Sequence, residues 1–569
     1  MCEEHFSKTT RRSNDGRFIV SIPFKDDISK LGDSREHAEK RFLSLERKLE
    51  ANPQFKEMYK AFILEYQSLG HMTKLDGVSY SDNVYYMPHH GILRENSLTT
   101  KLRVVFDASA PSTTGYSLNN LQMLGPVVQN DLMSIILRFR TYRFVLCGDV
   151  EKMYRQVLVE KEQQCLQRIL WRDDPSLPLA TYELKTVTYG TKSAPYLATR
   201  CIKELSIQHQ VSDPDASEII LNCFYVDDML MGANSIDSAV KLGNDVFKIL
   251  KSGGFELRKW SSNSDEILRK MNVSTLETDS LVINRTECFK ALGLSWNKKS
   301  DTFNFEVSPS EDHDKVSKRS ILSDISQLFD PMGLVSPCVI IAKVLLQKLW
   351  LEKIDWDSAL SPELGKQWLK LKNSLMELNK IQINRKVICD DAMKVELHGF
   401  SDASAEAYGA AIYVRSIDTN GKIHVSLLCA KSRVAPLKTI SIPRLELCGA
   451  LILAKLIYKV VNSVKIVFDT IYCWTDSKVV LGWLKTIPNL LKTFVANRVS
   501  EIQNLETQNL CQWRHVPTKV NPADILSRGM YPKDLTVNSL WWAGPPFLLN
   551  DESEWRGNGI SRDISVRFQ

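Results

Sequence analysis

The stretch Phe224-Tyr225-Val226-Asp227-Asp228-Met229-Leu230 sets two adjacent acids inside an apolar run that extends from Ile219 to Met231. Ionised carboxylates buried in such a run are costly unless they are paired or bound to a metal. Two neighbours also repel each other. A tight hairpin turn around a hard divalent cation resolves both problems, because oxygen ligands suit Mg²⁺ and its charge offsets theirs. Taken alone, an exposed Asp-Asp turn between two strands is the plainer reading. A second signal raises the metal reading. The segment YRFVLCGDV at 142–150 reads as an apolar strand that delivers Asp149 at its end. That acid beside the hairpin completes a three-carboxylate site. Such a site can hold two Mg²⁺ about 3.5–4 Å apart, which suits in-line phosphoryl transfer.

A second group of acids follows. ELHGFSDASAEAYGAAIYV is a strand ending near Asp402, then a turn and another strand. Glu446 opens an amphipathic helix with Leu445, Leu453, Leu456, Ile457 and Val460 on its apolar face. IYCWTDSKVV ends a strand at Asp476 and starts a helix at Ser477, and Asp524 stands at a late helix start. Singly, each is unremarkable: Asp476 could help cap a helix and Glu446 could be a solvated first-turn acid.

Around these motifs the chain is ordinary. It has 569 residues, 44% hydrophobic and 25% charged, with 73 Lys and Arg against 67 Asp and Glu. That length fits about three to four domains, and the apolar fraction excludes wholesale disorder. A net charge of +6 permits nucleic-acid contact without requiring it. Twelve cysteines occur with no C-x-x-C pair, so a zinc finger is not expected; they read as small buried hydrophobes of a reducing compartment. No apolar core follows a basic start, and Lys343, Lys455 and Lys459 break the richest apolar stretches, so neither a secretory signal nor a membrane span is expected.

Periodicity predicts two helices over 34–70, with Asn52-Pro53 as cap and first helical residue. Short strands with intervening helices follow from about 76, a less legible stretch covers about 263–390, and a second mixed region starts at 391. The tail from about 531 carries no recognisable element.

Tyr225-Val226-Asp227-Asp228 resembles the Y-x-D-D box of reverse transcriptases, and the other boxes stand around it in the expected order. KLRVVFDAS resembles the segment in which an Arg meets the nucleotide triphosphate, with Arg103 in place and Lys101 nearby. Asp149 matches the first palm aspartate, and Tyr154 the aromatic gate that excludes a ribose 2′-OH. YGTKSAPYLATR, with Gly190, Lys192 and Pro195, resembles the segment beneath the incoming nucleotide; Tyr189 stands where many retroviral enzymes have Gln. ALGLSW at 291–296 resembles the primer-gripping hairpin. Asp402, Glu446, Asp476 and Asp524 together resemble the D-E-D-D set of ribonuclease H. Many such enzymes carry a mobile His before the last acid; here His515 precedes the Val516-Pro517 step and is read as structural.

The finer resemblance is to Bel/Pao-type long-terminal-repeat retrotransposon Pol polyproteins, through CEEHFSKTTRRSNDGRFIVSIPF, YMPHHGIL, DPMGLVSP and SIPRLELCGA. It implies an α+β multidomain chain: a right-hand polymerase followed by a connection and an α/β ribonuclease H-like domain. The implied segments are 1–75 N-terminal helical, 76–262 fingers and palm, 263–390 primer grip, thumb and connection, 391–530 ribonuclease H-like, and 531–569 tail. The implied activity is RNA-directed DNA polymerisation with degradation of the RNA strand of hybrids. The nucleotide would be bound by Lys101, Arg103, Tyr154, Tyr189 and Gly190. Two Mg²⁺ per site, with Mn²⁺ as substitute, would be held by Asp149, Asp227 and Asp228, and by Asp402, Glu446, Asp476 and Asp524. The implied partners are an RNA template, a DNA primer, RNA–DNA hybrid and deoxynucleoside triphosphates, with no membrane. The implied location is the cytoplasm, within virus-like particles, or the nucleus. No D-[ST]-G triplet or integrase zinc module is seen, so the chain reads as the central slice of such a polyprotein or a truncated copy. The competing reading is a catalytically inactive nucleic-acid-binding relic of such an element.

Overall fold

The computed structural model describes residues 1–75, 83–93, 101–272, 280–282, 294–307, 316–509 and 511–558. By packing, the chain groups into two units: Met1–Asn130 with Cys147–Met229 and Val240–Trp260, and Asp131–Leu146 with Leu230–Ala239 and Ser261–Gln569. Among the described residues no helix is long and apolar enough to cross a membrane.

In the first unit the two expected helices form at Arg35–Glu50 and Pro53–Ser68. Asn52 accepts a hydrogen bond from the Phe55 N–H at 3.1 Å, and Pro53 opens the second helix where a missing N–H costs nothing. Their apolar stripes bury Phe42, Tyr59 and Tyr66 against Phe106 and Trp171. Tyr59 stacks on Trp171 at 5.2 Å, so the core here is aromatic. Residues 1–75 are not purely helical. Phe18–Val20 pairs antiparallel with Arg11–Arg12 and parallel with Leu158–Val159, and Met72–Lys74 pairs with Ala180–Leu184. Strands of two or three residues with distant partners are too short to leave a periodic signal.

The sheet that carries the first acids runs in the order Phe224–Tyr225, Asp228–Ala233, Phe144–Val150, Leu257–Ser262. The second unit is built on five strands, ordered Ile423–Val434, Ala407–Ile417, Lys394–Ala403, Thr470–Thr475, Cys511–His515. The first three are antiparallel; the last two add in parallel. Glycines let helices close on this sheet. A Cβ at Gly399 would meet Leu453 of the helix Ile442–Ser463 at 2.3 Å.

The tail, unassigned from sequence, folds as short helices from Pro532 to Asn558. Trp541 donates to the Leu334 carbonyl at 2.9 Å, Arg415 donates to the Leu548 carbonyl at 2.7 Å, and Trp555 packs on Trp474 at 5.7 Å. The DPMGLVSP loop is equally fixed. Both Asp330 oxygens accept backbone N–H groups, from Leu334 and Val335 at 2.8 Å, and the Met332 carbonyl accepts from Ala430 at 2.8 Å. Gly333 has φ +73°, and a Cβ there would lie 1.9 Å from the Ala430 carbonyl oxygen. Gly333→Ala is therefore expected to cost about 2–4 kcal/mol, from the left-handed backbone and the overlap together. Thermal unfolding checks this; an unchanged midpoint would show that the loop yields freely.

Candidate functional site

Asp149 lies one residue inside the end of Phe144–Val150, and Asp227 and Asp228 form the turn and first residue of the hairpin Phe224–Ala233. Strand order sets these beside each other, and the Val150 N–H donates to the Asp227 carbonyl at 2.9 Å. The three carboxylates each offer an oxygen, all within 4.8 Å of one another. Burial first, and the Asp149 charge second, push the Asp227 carboxyl up to about 6. Its Oδ1 is buried with no hydrogen-bond partner. An orphaned carboxylate oxygen among like charges fits a cation site. Lys259 donates to Asp149 Oδ2 at 2.8 Å, and the Arg103 charge also reaches Asp227.

Backbone strain gathers here. Among the described residues seven non-glycine residues have positive φ, and Lys152, Val226 and Lys259 are three of them. Such conformations concentrate at functional sites.

The remaining nucleotide candidates lie in the same unit. Arg103 is half-buried and Lys101 exposed, at and just before the strand Leu102–Phe106. Tyr154 sits on the turn Met153–Gln156, whose Arg155 and Gln156 carbonyls accept from the half-buried Arg17 at 2.8 and 2.9 Å. Tyr189 packs on Phe106 at 5.3 Å, facing the aromatic core. Gly190 has φ +99°, and a Cβ would sit 2.1 Å from the Phe106 carbonyl oxygen, so only glycine lets these two segments touch. Asn119 ties them further, donating to the Gly190 carbonyl at 3.0 Å and accepting from the Lys192 N–H at 2.7 Å. Of ALGLSW, residues 291–293 lie outside the described residues, and Leu294–Trp296 form a strand.

In the second unit Asp402 is on the central strand, Glu446 near the start of Ile442–Ser463, Asp476 one residue past Thr470–Thr475, and Asp524 on Ala523–Arg528. Gly449 brings the helix against the strand: a Cβ there would lie 2.9 Å from the Asp402 carbonyl oxygen. Burial pushes the Asp402 carboxyl up to about 7; the charges of Asp476, Asp524 and Glu446 add to this, while a hydrogen bond from Ser527 opposes it. Glu446 is also raised, by burial first and by Asp476. The four acids are thus electrical neighbours, but they stand wider than the first set. Among the described residues, Asp149, Asp227 and Asp228 alone meet the 4.8 Å grouping. Each of three acids is held by its own partner instead: Asp402 by Ser527, Asp476 by Thr518 at 2.6 Å, Asp524 by Arg528 at 2.6 Å. Asp476 Oδ1, like Asp227 Oδ1, is buried without a partner.

Sequence reading missed Lys259, Thr518, Ser527 and Arg528. Arg528 alone left a signal, four residues beyond Asp524 on the same helix face.

The fold matches that of a viral reverse transcriptase, and part of the second unit matches a ribonuclease H-like family. The chain aligns over 80% of its length with 68% of the foamy viral protease-reverse transcriptase dRH in complex with ds DNA, at TM-score 0.51 and 13% identity. It also aligns over 82% with the same viral protein in complex with RNA/DNA hybrid, at TM-score 0.50 and 13% identity, spanning 54% of that longer chain. No curated protein matches the chain in sequence. Residues 317–477 match the Pao retrotransposon-like RNaseH-like domain family, which bears out the Bel/Pao-type likeness read from the sequence. That match starts ahead of residue 391, taking in the helices Lys318–Gln327, Ser336–Leu351 and Pro362–Ser374.

Proposed function

We propose that the chain is an RNA-directed DNA polymerase of a Bel/Pao-type retroelement, with a C-terminal ribonuclease H that degrades the RNA of RNA–DNA hybrids. The observation that carries this reading is the chelating triad Asp149, Asp227 and Asp228 in a chain whose residues 317–477 match the Pao family. In this reading the triad sheet is the palm, and the strands around Leu102–Phe106 belong to the fingers. The triad would hold two Mg²⁺, and Asp402, Glu446, Asp476 and Asp524 would hold the second pair. When bound, divalent cations make an attacking hydroxyl more acidic and offset charge on the leaving oxygen.

The chain's own groups do the rest. The Arg103 guanidinium offers paired hydrogen bonds to triphosphate oxygens and does not deprotonate. Lys101 adds charge at the exposed edge. The Tyr154 ring bars a 2′-OH sterically, on a turn that Arg17 braces from behind. Tyr189 and Gly190 shape the floor beneath the nucleotide. Arg528 and Lys259 balance the acids until substrate and ions enter. The substrates are an RNA template with a DNA primer, deoxynucleoside triphosphates and the resulting hybrid; the structural relatives bound to ds DNA and RNA/DNA hybrid support that class. Synthesis and cleavage would take place in the cytoplasm, within virus-like particles.

Primer extension on an RNA template and cleavage of labelled hybrid RNA, by one preparation with Mg²⁺, test the reading. Extension and cleavage are expected. Folded protein that binds template-primer but performs neither reaction would support the inactive relic instead.

The acids also give a pH signature. Asp402, raised to about 7, and Asp227, raised to about 6, keep their protons after an unfolded carboxyl has lost its own. Folded protein binds more protons there, so in metal-free buffer these groups' contribution to stability falls as pH rises from about 4 to 7. Metal binding needs the carboxylates and displaces those protons. The Mg²⁺-induced rise in unfolding midpoint should therefore be larger at pH 8 than at pH 6, where Asp402 alone weakens binding about tenfold. Equal shifts at both pH values would count against the acids as ligands.

A further inference from the structure

We propose that Gln129 is the positioning residue that holds the Asp227–Asp228 hairpin in its metal-receiving shape. The inference rests on reading the triad as a cation site. Val226, immediately before Asp227, has φ +56°. A β-branched side chain is poorly tolerated in that region, so this conformation persists only if surrounding groups impose it. Gln129 imposes it from 97 residues away, with both ends of one amide. Its Oε1 accepts from the Val226 N–H at 2.8 Å, and its Nε2 donates to the Val226 carbonyl at 3.1 Å. The flanking peptides of the turn are thereby satisfied on one side, while the Asp227 carbonyl is tied to Val150 on the other. Two restraints of different origin fix the carboxylates relative to Asp149.

Gln129 is itself anchored. Asn130 donates to Asn222 at 2.8 Å, just ahead of the hairpin strand, and the Met123 N–H donates to the Pro23 carbonyl at 2.9 Å. Gly125, at φ +77°, lies so close to Tyr196 that a Cβ would come within 2.2 Å of the ring. A loop pinned at these points delivers the amide at a set height. Asn at position 129 would fall one methylene short, and Glu would keep the acceptor but set an oxygen against the Val226 carbonyl.

The test measures Mn²⁺ binding to the full chain by electron paramagnetic resonance, without substrate, in an Asp476→Asn background that weakens the second site. Gln129→Met, similar in length but apolar, is expected to weaken binding at the triad about tenfold or more. Gln129→Glu is expected to lose affinity too, and it serves if the Met variant fails to fold. Val226→Gly, added to either, frees the backbone to adopt positive φ and is expected to recover much of the loss. Rescue separates holding the turn from merely packing the loop. Wild-type affinity in a Gln129 variant, or a loss that Val226→Gly leaves unrepaired, overturns the proposal. Primer extension on the same preparations keeps the two claims apart. Rescued Mn²⁺ binding in a protein that extends nothing would sink the polymerase and spare the clamp.

Discussion

Asp476→Asn is expected to abolish cleavage of hybrid RNA, by about a thousandfold, while leaving primer extension within about twofold of wild type. Loss of an outer-shell partner of a metal ligand typically costs about 10–100-fold, so loss of a ligand charge costs more. The substitution is gentle on the fold. Asp476 Oδ2 accepts from Thr518 at 2.6 Å, a bond that an Asn oxygen can still make. Its Oδ1 has no partner to lose. What vanishes is one negative charge of the group that raises Asp402. The triad of the first unit draws on none of these residues. Loss of synthesis alongside cleavage would show that the two chemistries share a site, and the assignment of two acid sets would fail.

Both acid sets were legible because apolar strands frame them. An acid at or near the end of FVLCGDV or IYCWTD is conspicuous against its neighbours, and the continuous apolar run before it reveals the strand that carries it. The helices Arg35–Glu50 and Pro53–Ser68 were legible for the same reason, with Asn52 and Pro53 marking the boundary. What supports the acids was not legible. Gln129 acts across 97 residues and Lys259 reaches Asp149 across 110, and neither lies in a pattern that spacing can detect. The N-terminal strand Phe18–Val20 pairs with Leu158–Val159, a long-range match of short segments. The tail offered Trp541, Phe547 and Trp555 without periodicity, because they fill irregular gaps over the second unit's sheet rather than one face of an element. Spacing placed Asp402, Glu446, Asp476 and Asp524 on their elements, but local sequence does not announce the hydroxyls of Ser527 and Thr518 that hold Asp402 and Asp476.

Asp227→Asn is expected to do the converse: to lower synthesis about a thousandfold, spare hybrid cleavage, and make the metal-free protein more stable. The two effects share a cause. Burial and the neighbouring Asp149 hold the Asp227 carboxyl near 6, against an ordinary value of 3.8. Above that pH the ionised group weighs against the folded state, and the difference corresponds to about 2–3 kcal/mol. An amide carries no such charge. The backbone restraints, from Gln129 to Val226 and from Val150 to the Asp227 carbonyl, do not depend on the side chain and remain. A site assembled only for stability would not place three carboxylates within 4.8 Å of one another, with one oxygen buried and unpartnered. Retaining that arrangement makes sense where function needs the charges and a bound cation offsets them. The unfolding midpoint at pH 8 without divalent ions should rise in the variant, and its gain on adding Mg²⁺ should shrink. A variant that extends primers at the wild-type rate would end the polymerase assignment. One that is inactive but less stable would show that Asp227 serves the fold and not a cation.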